Sequence, residues 1–326
     1  MARPLRIQYP GAFYHVTCRG NERQDIFKDD TDRYRFIQIL SQSLDSYTVK
    51  LHSYVLMSNH FHLLVETPLG NLAELMRKFN ITYTGYYNRR HARVGHLYQG
   101  RYKSILVERD AYLTVLSRYI HVNPVRIKSK EQAPVTEKIE LLNGYPWSSL
   151  PGYLNPRKRE SFVEYGVVLS AYGPDGAHAR KAYREALFAD LASGIKILDK
   201  VIGQSVIGEN AFIEWVTESF LKGEEGREQP SMKSIHSRQA IEVILGSIEA
   251  ETGKSITTIA REKGVGRQIA MELLYRLGGL KGEEIGRLMG VGYTSVSQER
   301  KRLRERLSKD RNLEALVRRI EEKCHE

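Results

Sequence analysis

Between residues 12 and 123 the apolar pattern alternates between the two-residue period of a strand and the 3.6-residue period of a helix, and this order restricts the fold more than any other feature of the chain. AFYHVTC (12–18) alternates and is β-rich, DDTDRYRFIQILSQSL (29–44) has helical spacing behind an aspartate cap, and VKLHSYVLM (49–57) and HFHLLVE (60–66) read as strands. NLAELMRKFNITYTGYYNRR (71–90) is predicted helical, YKSILVE (102–108) a short strand, and DAYLTVLSRYIHVN (110–123) a helix stopped by Pro124. The order βαββαβα predicts an α+β domain built on a ferredoxin-like antiparallel sheet, a split βαβ, with its helices on one face.

The chain has 326 residues, enough for two or three domains. A near-neutral middle, net −2 over 151–230, separates basic blocks of +8 over 1–150 and +5 over 231–326. Turn-rich PGYLNPRKRE (151–160), YGPDGAH (172–178) and KGEEGREQPS (222–231) punctuate it. The expected division is a first domain at 1–152, a helical connector at 153–230 with amphipathic helices around 178–192 and 210–222, and an all-α domain at 231–326. Gly-bounded helical segments in the last block fall near 235–251, 255–263, 267–277, 281–289, 294–308 and 312–323.

The net charge of +11 points to a polyanion, nucleic acid first. Two cysteines, Cys18 and Cys324, offer neither a disulfide framework nor a cysteine zinc site, which fits a reducing cytosol. Neither a secretory signal nor a membrane span is expected from the apolar runs. Tyrosines make up 19 of the 30 aromatic residues, which suits a wet, charged binding surface.

His60 and His62 lie two apart in a strand, so both imidazoles leave one face, a spacing that suits two ligands of one metal ion or, more blandly, two polar residues on a half-exposed strand. On helix 110–123, Leu113, Leu116 and Ile120 form an apolar stripe and Tyr112, Tyr119 and Asn123 an adjacent one. Packed over the sheet, that helix would bring the Asn123 amide oxygen to a divalent ion held by His60 and His62, with the Tyr119 hydroxyl one turn away. Three neutral ligands leave coordination positions for phosphate oxygens, and Mg²⁺ or Mn²⁺ would serve. A tyrosine nucleophile stores the phosphodiester energy in a phosphotyrosine, so later rejoining needs no ATP. Tyr119 could equally be a ring packed at the helix edge with its hydroxyl in water.

Between Glu74 and Glu108, 33 residues contain no acid, while Arg77, Lys78, Arg89, Arg90, Arg93, Arg101 and Lys103 alternate with Tyr83, Tyr86, Tyr87, Tyr98 and Tyr102. Cations hold phosphates and rings stack on unpaired bases, so this composition suits single-stranded or hairpin nucleic acid. Arg19 is added to these candidate DNA contacts.

YHVTCRGNERQDIF (14–27), LMSNHFHLLVE (56–66), GHLYQGRYKSILVERDAYL (95–113), RYIHVNPVR (118–126) and YPWSSLPGYL (145–154) together resemble the REP-associated tyrosine transposases of the HUH nuclease superfamily over roughly 1–153. The resemblance implies His60, His62 and Asn123 as metal ligands and Tyr119 as the nucleophile joined to a DNA 5′-phosphate. It also implies single-stranded hairpin DNA, REP-like palindromes, as substrate, and a monomer or homodimer. Ser58 stands where the family often has Pro, at the strand entry and away from the ligands. GRQIAMELLYRLGGLKGEEIGRLMGVGYTSVSQERKRL (266–303) is similar to the DNA-binding domain of the bacterial replication initiator DnaA, a helix-turn-helix. On its second helix Thr294, Ser295 and Ser297 are candidate base contacts, and Arg300, Lys301 and Arg304 candidate phosphate contacts on duplex DNA.

The expected function is a metal-dependent transposase-like endonuclease and strand transferase acting in a bacterial cytoplasm, associated with the nucleoid. The alternatives are a non-catalytic regulator binding hairpin and duplex DNA with the same fold, and an RNA-hairpin binder, which would require a 2′-hydroxyl.

Overall fold

In the computed structural model, residues 6–130, 132–194, 197–220, 241–278, 280, 282–307 and 310–324 are described. The described residues fall into two compact units, one within 6–220 and one within 241–324.

The first unit is built on β1 (Ala12–Arg19), α1 (Asp30–Ser46), β2 (Lys50–Leu56), β3 (His60–Thr67), α2 (Leu72–Arg90), β4 (Lys103–Val107) and α3 (Arg109–Val122). The α+β class and the order of elements agree with the sequence reading, and the Asp29 carboxylate accepts from the Asp32 N–H at the start of α1 as an N-cap. The sheet order is β2-β3-β1-β4-β5, antiparallel up to β4. The fifth strand, β5 (Val206–Ile207), joins β4 in parallel and was not anticipated.

The helices do not all lie on one face, as the alternation had suggested. Phe61 of β3 packs on Phe36 of α1 and Phe79 of α2, whereas its neighbour His62 meets Tyr119 of α3. Successive residues of a strand point to opposite faces, so α1 and α2 cover one face and α3 the other. The physical reason is visible in β3, where Phe61, Leu63, Leu64 and Val65 are all fully buried and need cover on both sides.

The segment expected to be a connector is, over 153–220, part of this first unit. It follows α4 (Val135–Gly144) and supplies α5 (Leu150–Leu154), α6 (Gly166–Leu169), α7 (Ala177–Ser193), β5 and α8 (Asn210–Phe220). Four antiparallel strands leave two edges of unpaired backbone groups, and residues between 147 and 207 cover both. At β2 the Leu56 N–H donates to the Trp147 carbonyl at 2.8 Å and the Leu51 carbonyl accepts from the Glu164 N–H at 2.7 Å. At β4 the Leu106 N–H donates to the Ser205 carbonyl at 2.7 Å and the Glu108 N–H to the Ile207 carbonyl at 2.9 Å. Tyr153 and Tyr183 are fully buried and stacked, centroids 4.7 Å apart. Residues 221–240, which hold the expected boundary at 230, lie outside the described residues.

The second unit is helical, with α9 (Ile241–Thr252), α10 (Ile256–Arg261), α11 (Val265–Arg276), α12 (Gly282–Met289), α13 (Tyr293–Leu307) and α14 (Arg311–Lys323) around Ile248, Ile269, Leu273, Ile285, Leu303 and Ile320. The turn between α12 and α13 depends on glycine. Gly290 has φ +66°, and a Cβ on Gly286 would lie 2.6 Å from the Val291 carbonyl oxygen. No helix among the described residues is long and apolar enough to cross a membrane.

If 153–220 closes the sheet rather than tethering the second unit, a chain of residues 1–220 should unfold cooperatively in urea. A chain ending at 152 should lose that transition or be several kcal/mol less stable, on the order of a buried aromatic pair removed from a core. Circular dichroism against urea checks this.

Candidate active site

His60 and His62 leave β3 on the α3 side of the sheet, opposite Arg19 and Thr17 of β1 in the antiparallel register. That side also carries His15, two residues before Thr17 on β1, and the rings of His15 and His62 meet through a hydrogen bond of 2.8 Å between His15 Nε2 and His62 Nδ1. α3 crosses above them and seats the Tyr119 ring edge-on to both, with centroids 6.0 Å from His15 and 6.1 Å from His62. Tyr119 is nearly buried there, 8% exposed.

Helical spacing places Asn123 one turn beyond Tyr119, at the C-cap of α3, where Pro124 ends the helix. The Asn123 amide nitrogen donates to the Tyr119 carbonyl at 2.8 Å and to that of Ile120 at 3.3 Å. Both bonds use Nδ2, so Oδ1 is the atom with coordination capacity to offer. The Arg126 guanidinium lies 4.9 Å from the Tyr119 ring centroid. Burial raises the Tyr119 phenol above its usual range, and the Arg126 charge partly opposes the shift.

The imidazoles fit a divalent cation. His60 Nδ1 is hydrogen-bonded to Asn59 Oδ1 at 2.7 Å and His62 Nδ1 to His15, which leaves Nε2 of each as the candidate ligating nitrogen. His62 Nε2 is buried without a hydrogen-bond partner. Burial pushes His60 down to about 4, and His62 lies well below its ordinary value, mainly through burial with His15 adding to the shift. Both rings are therefore neutral near pH 7, as ligands must be. Among the described residues no group of three or more His, Cys, Asp or Glu could hold a metal ion.

Tyr112, two turns before Tyr119, faces elsewhere. Its hydroxyl donates to Glu209 Oε1 at 2.9 Å, and burial, with Glu209, pushes it up to about 12. His15 and Arg126 were not singled out from sequence. The available signals were the shared alternation of AFYHVTC and HFHLLVE, and the arginine three residues after Asn123.

The basic stretch is less uniform than its composition suggested. Arg19, Arg77, Lys78, Arg89, Arg101 and Lys103 are exposed. Arg90 is held by both carboxylate oxygens of Asp29, at 2.7 Å each, and by Asp32, which ties the end of α2 to the start of α1. Arg93 donates to Asn88 Oδ1 at 3.2 Å and to the His96 carbonyl at 2.8 Å, bracing its own loop. In the second unit Thr294, Ser297, Lys301 and Arg304 of α13 are exposed and Ser295 half-buried. Arg300 turns inward, with Nε 2.9 Å from Glu272 Oε2 and its guanidinium 3.3 Å above the Tyr275 ring.

His15 is held at about 4, His60 at about 4 and His121 at about 3, all chiefly by burial. The unfolded chain protonates its histidines near ~6.5 while the folded chain does not, so stability is complete above that value and falls as the pH drops towards ~4. The urea midpoint of the first unit should fall over this window. His121→Gln, which keeps polar atoms for Tyr183 and Ser149, should flatten the dependence.

Residues 9–123 match the family described as "Transposase IS200 like". The chain is also similar to a solved structure described as "Structure of the REP associates tyrosine transposase bound to a REP hairpin", with 13% identity and a TM-score of 0.39 over 52% of this chain and 93% of that one. No curated protein matches. The family match contains β1 to α3, His60, His62, Tyr119 and Asn123, and agrees with the motifs that resemble REP-associated tyrosine transposases. The match to the IS200-like transposase family is thus confined to residues 9–123, the part of the chain that holds the histidines, Tyr119 and Asn123, and it supports a transposase-like role in processing DNA.

Proposed function

We propose that the protein is a metal-dependent endonuclease and strand transferase that cuts and rejoins single-stranded hairpin DNA through a phosphotyrosine at Tyr119. The observation that carries this reading is the seating of the Tyr119 ring against His15 and His62, one helical turn from Asn123. A divalent ion, Mn²⁺ or Mg²⁺, held by His60, His62 and Asn123 would polarise the scissile phosphate and neutralise its charge. The Tyr119 oxygen gives up its proton and bonds to phosphorus, the bond from phosphorus to the 3′-oxygen breaks, and that oxygen leaves as a hydroxyl. The 5′-phosphate remains on the protein. Attack by a second 3′-hydroxyl reverses the exchange and rejoins a strand without an external energy source. Arg126 supports the phenolate with its charge, and the fixed helix holds the ring in position.

Exposed Arg77, Arg89 and Arg101 supply phosphate contacts that tolerate any sequence, within a stretch free of acids. A hairpin is the ligand named for the similar solved protein, and the same substrate class is proposed here. Exposed Thr294, Ser297, Lys301 and Arg304 support a second contact, on duplex DNA, by the helix-turn-helix.

Tyr119→Phe is expected to abolish the denaturation-stable protein–DNA adduct and strand cutting while leaving hairpin binding within about twofold, since it removes one hydroxyl and little volume. Tyr112→Phe should still cut. Adduct in the first variant and none in the second, read on a denaturing gel with Mn²⁺, would overturn the assignment. Replacing Arg77, Arg89 and Arg101 together by Gln should reduce the slope of log affinity against log salt by about 2, at ~0.7 per phosphate contact on a single strand. An unchanged slope means these arginines do not touch phosphate.

A further inference from the structure

The face of the sheet opposite the histidines carries a second concave surface. Thr17 and Arg19 pair with His62 and His60 on one face, so Cys18, paired with Phe61, points to the other. There α2 and the 96–102 loop enclose a cleft of about 390 Å³. That is within the usual range for small-ligand sites, ~300–1,000 Å³. The loop is fastened to the end of β1, the Asn21 N–H donating to the Leu97 carbonyl and the Gln99 N–H to the Arg19 carbonyl, both at 2.8 Å. One wall of the cleft is therefore preformed.

The lining chemistry is specific. Arg77 and Arg101 stand exposed at the rim, and no acidic side chain is among the lining residues. The Arg6 guanidinium lies 4.1 Å from the Tyr102 ring centroid, a flat cationic and aromatic surface. Asn80 donates its amide nitrogen to Cys18 Sγ at 3.6 Å, leaving its Oδ1 without a partner, and the buried Tyr98 hydroxyl also has none. Unpartnered buried polar groups are uncommon in folded proteins. The Arg6 guanidinium over the Tyr102 ring and the acid-free cationic rim complement the flat face of a nucleobase and its flanking phosphates.

We infer that this cleft holds one unstacked base of single-stranded DNA, with the flanking phosphates on Arg77 and Arg101. The strand is then gripped on the face of the sheet opposite Tyr119, and the held nucleotide is not the one that is cut. The inference deepens the proposed function and rests on its choice of DNA as substrate.

The test uses the full chain and a hairpin oligodeoxynucleotide with a single-stranded tail, in which 2-aminopurine replaces each unpaired base in turn. One position should change fluorescence on binding. Thr84→Trp, which fills the cleft from the half-exposed side of α2, and Arg101→Gln should each remove that response and weaken binding about tenfold, the scale of one stacked base. Circular dichroism confirms that both variants are folded. No responding position, or the same response in both variants, overturns the site. So does displacement of the signal by the four free deoxynucleoside monophosphates as readily as by unlabelled oligonucleotide, because such a cleft serves mononucleotides. Adduct formation is followed on the same oligonucleotide. A position-specific response without adduct keeps the cleft and rejects the reaction, and adduct without the response does the reverse.

Discussion

The antiparallel pairing of β1 with β3 is the interaction on which the first unit depends. Its register sets Thr17 against His62 and Arg19 against His60, and it brings His15 Nε2 within 2.8 Å of His62 Nδ1. A slip of one residue would turn the histidines towards the Phe36 and Phe79 side of the sheet, away from Tyr119. Register matters here because a slip would carry the His60 and His62 imidazoles into the apolar face that Phe36, Phe61 and Phe79 form. From this pairing follow the seat for α3, the neutral state of the imidazoles and the orientation of the candidate nucleophile.

The middle of the chain stabilises this arrangement from its margins. Residues 147–165 cover the β2 edge and residues 205–207 the β4 edge. Interior polar contacts then bind α3 to the same shell. The buried His121 bridges the Tyr183 hydroxyl at 2.7 Å and the Ser149 hydroxyl at 2.8 Å, while Ser117 joins Ser53 at 2.7 Å and Tyr183 at 2.9 Å. α3 carries both Tyr119 and Asn123, so fixing it through side chains from β2, α7 and the start of α5 preorganises the site.

Local periodicity made most of the core elements legible, because the strands and helices between 12 and 123 follow their own hydrophobic periods and caps. What it could not show was decided by contacts distant in sequence. β5 has two residues, too few for any period, and exists because β4 has a free edge. Placement of helices on both faces was partly written in HFHLLVE, whose near-continuous apolar run signals cover on two sides. His60, His62, Tyr119 and Asn123 could be connected through strand and helix spacing, but His15 required the cross-strand register. A count of basic residues likewise could not separate exposed Arg89 from Arg90, which Asp29 and Asp32 hold. In the second unit the same limit applies to Arg300, drawn inward by Glu272 and Tyr275.

The proposed reaction requires that the Tyr119 oxygen, and no other nucleophile, becomes bonded to a DNA 5′-phosphate. The most direct measurement is mass spectrometry of the wild-type adduct, trapped on a hairpin oligonucleotide with Mn²⁺ and digested with protease and nuclease. A phosphonucleotide mass is expected on the peptide containing Tyr119, with fragmentation placing it on that side chain. The same mass on Tyr112, on any other residue, or on no peptide at all would contradict it.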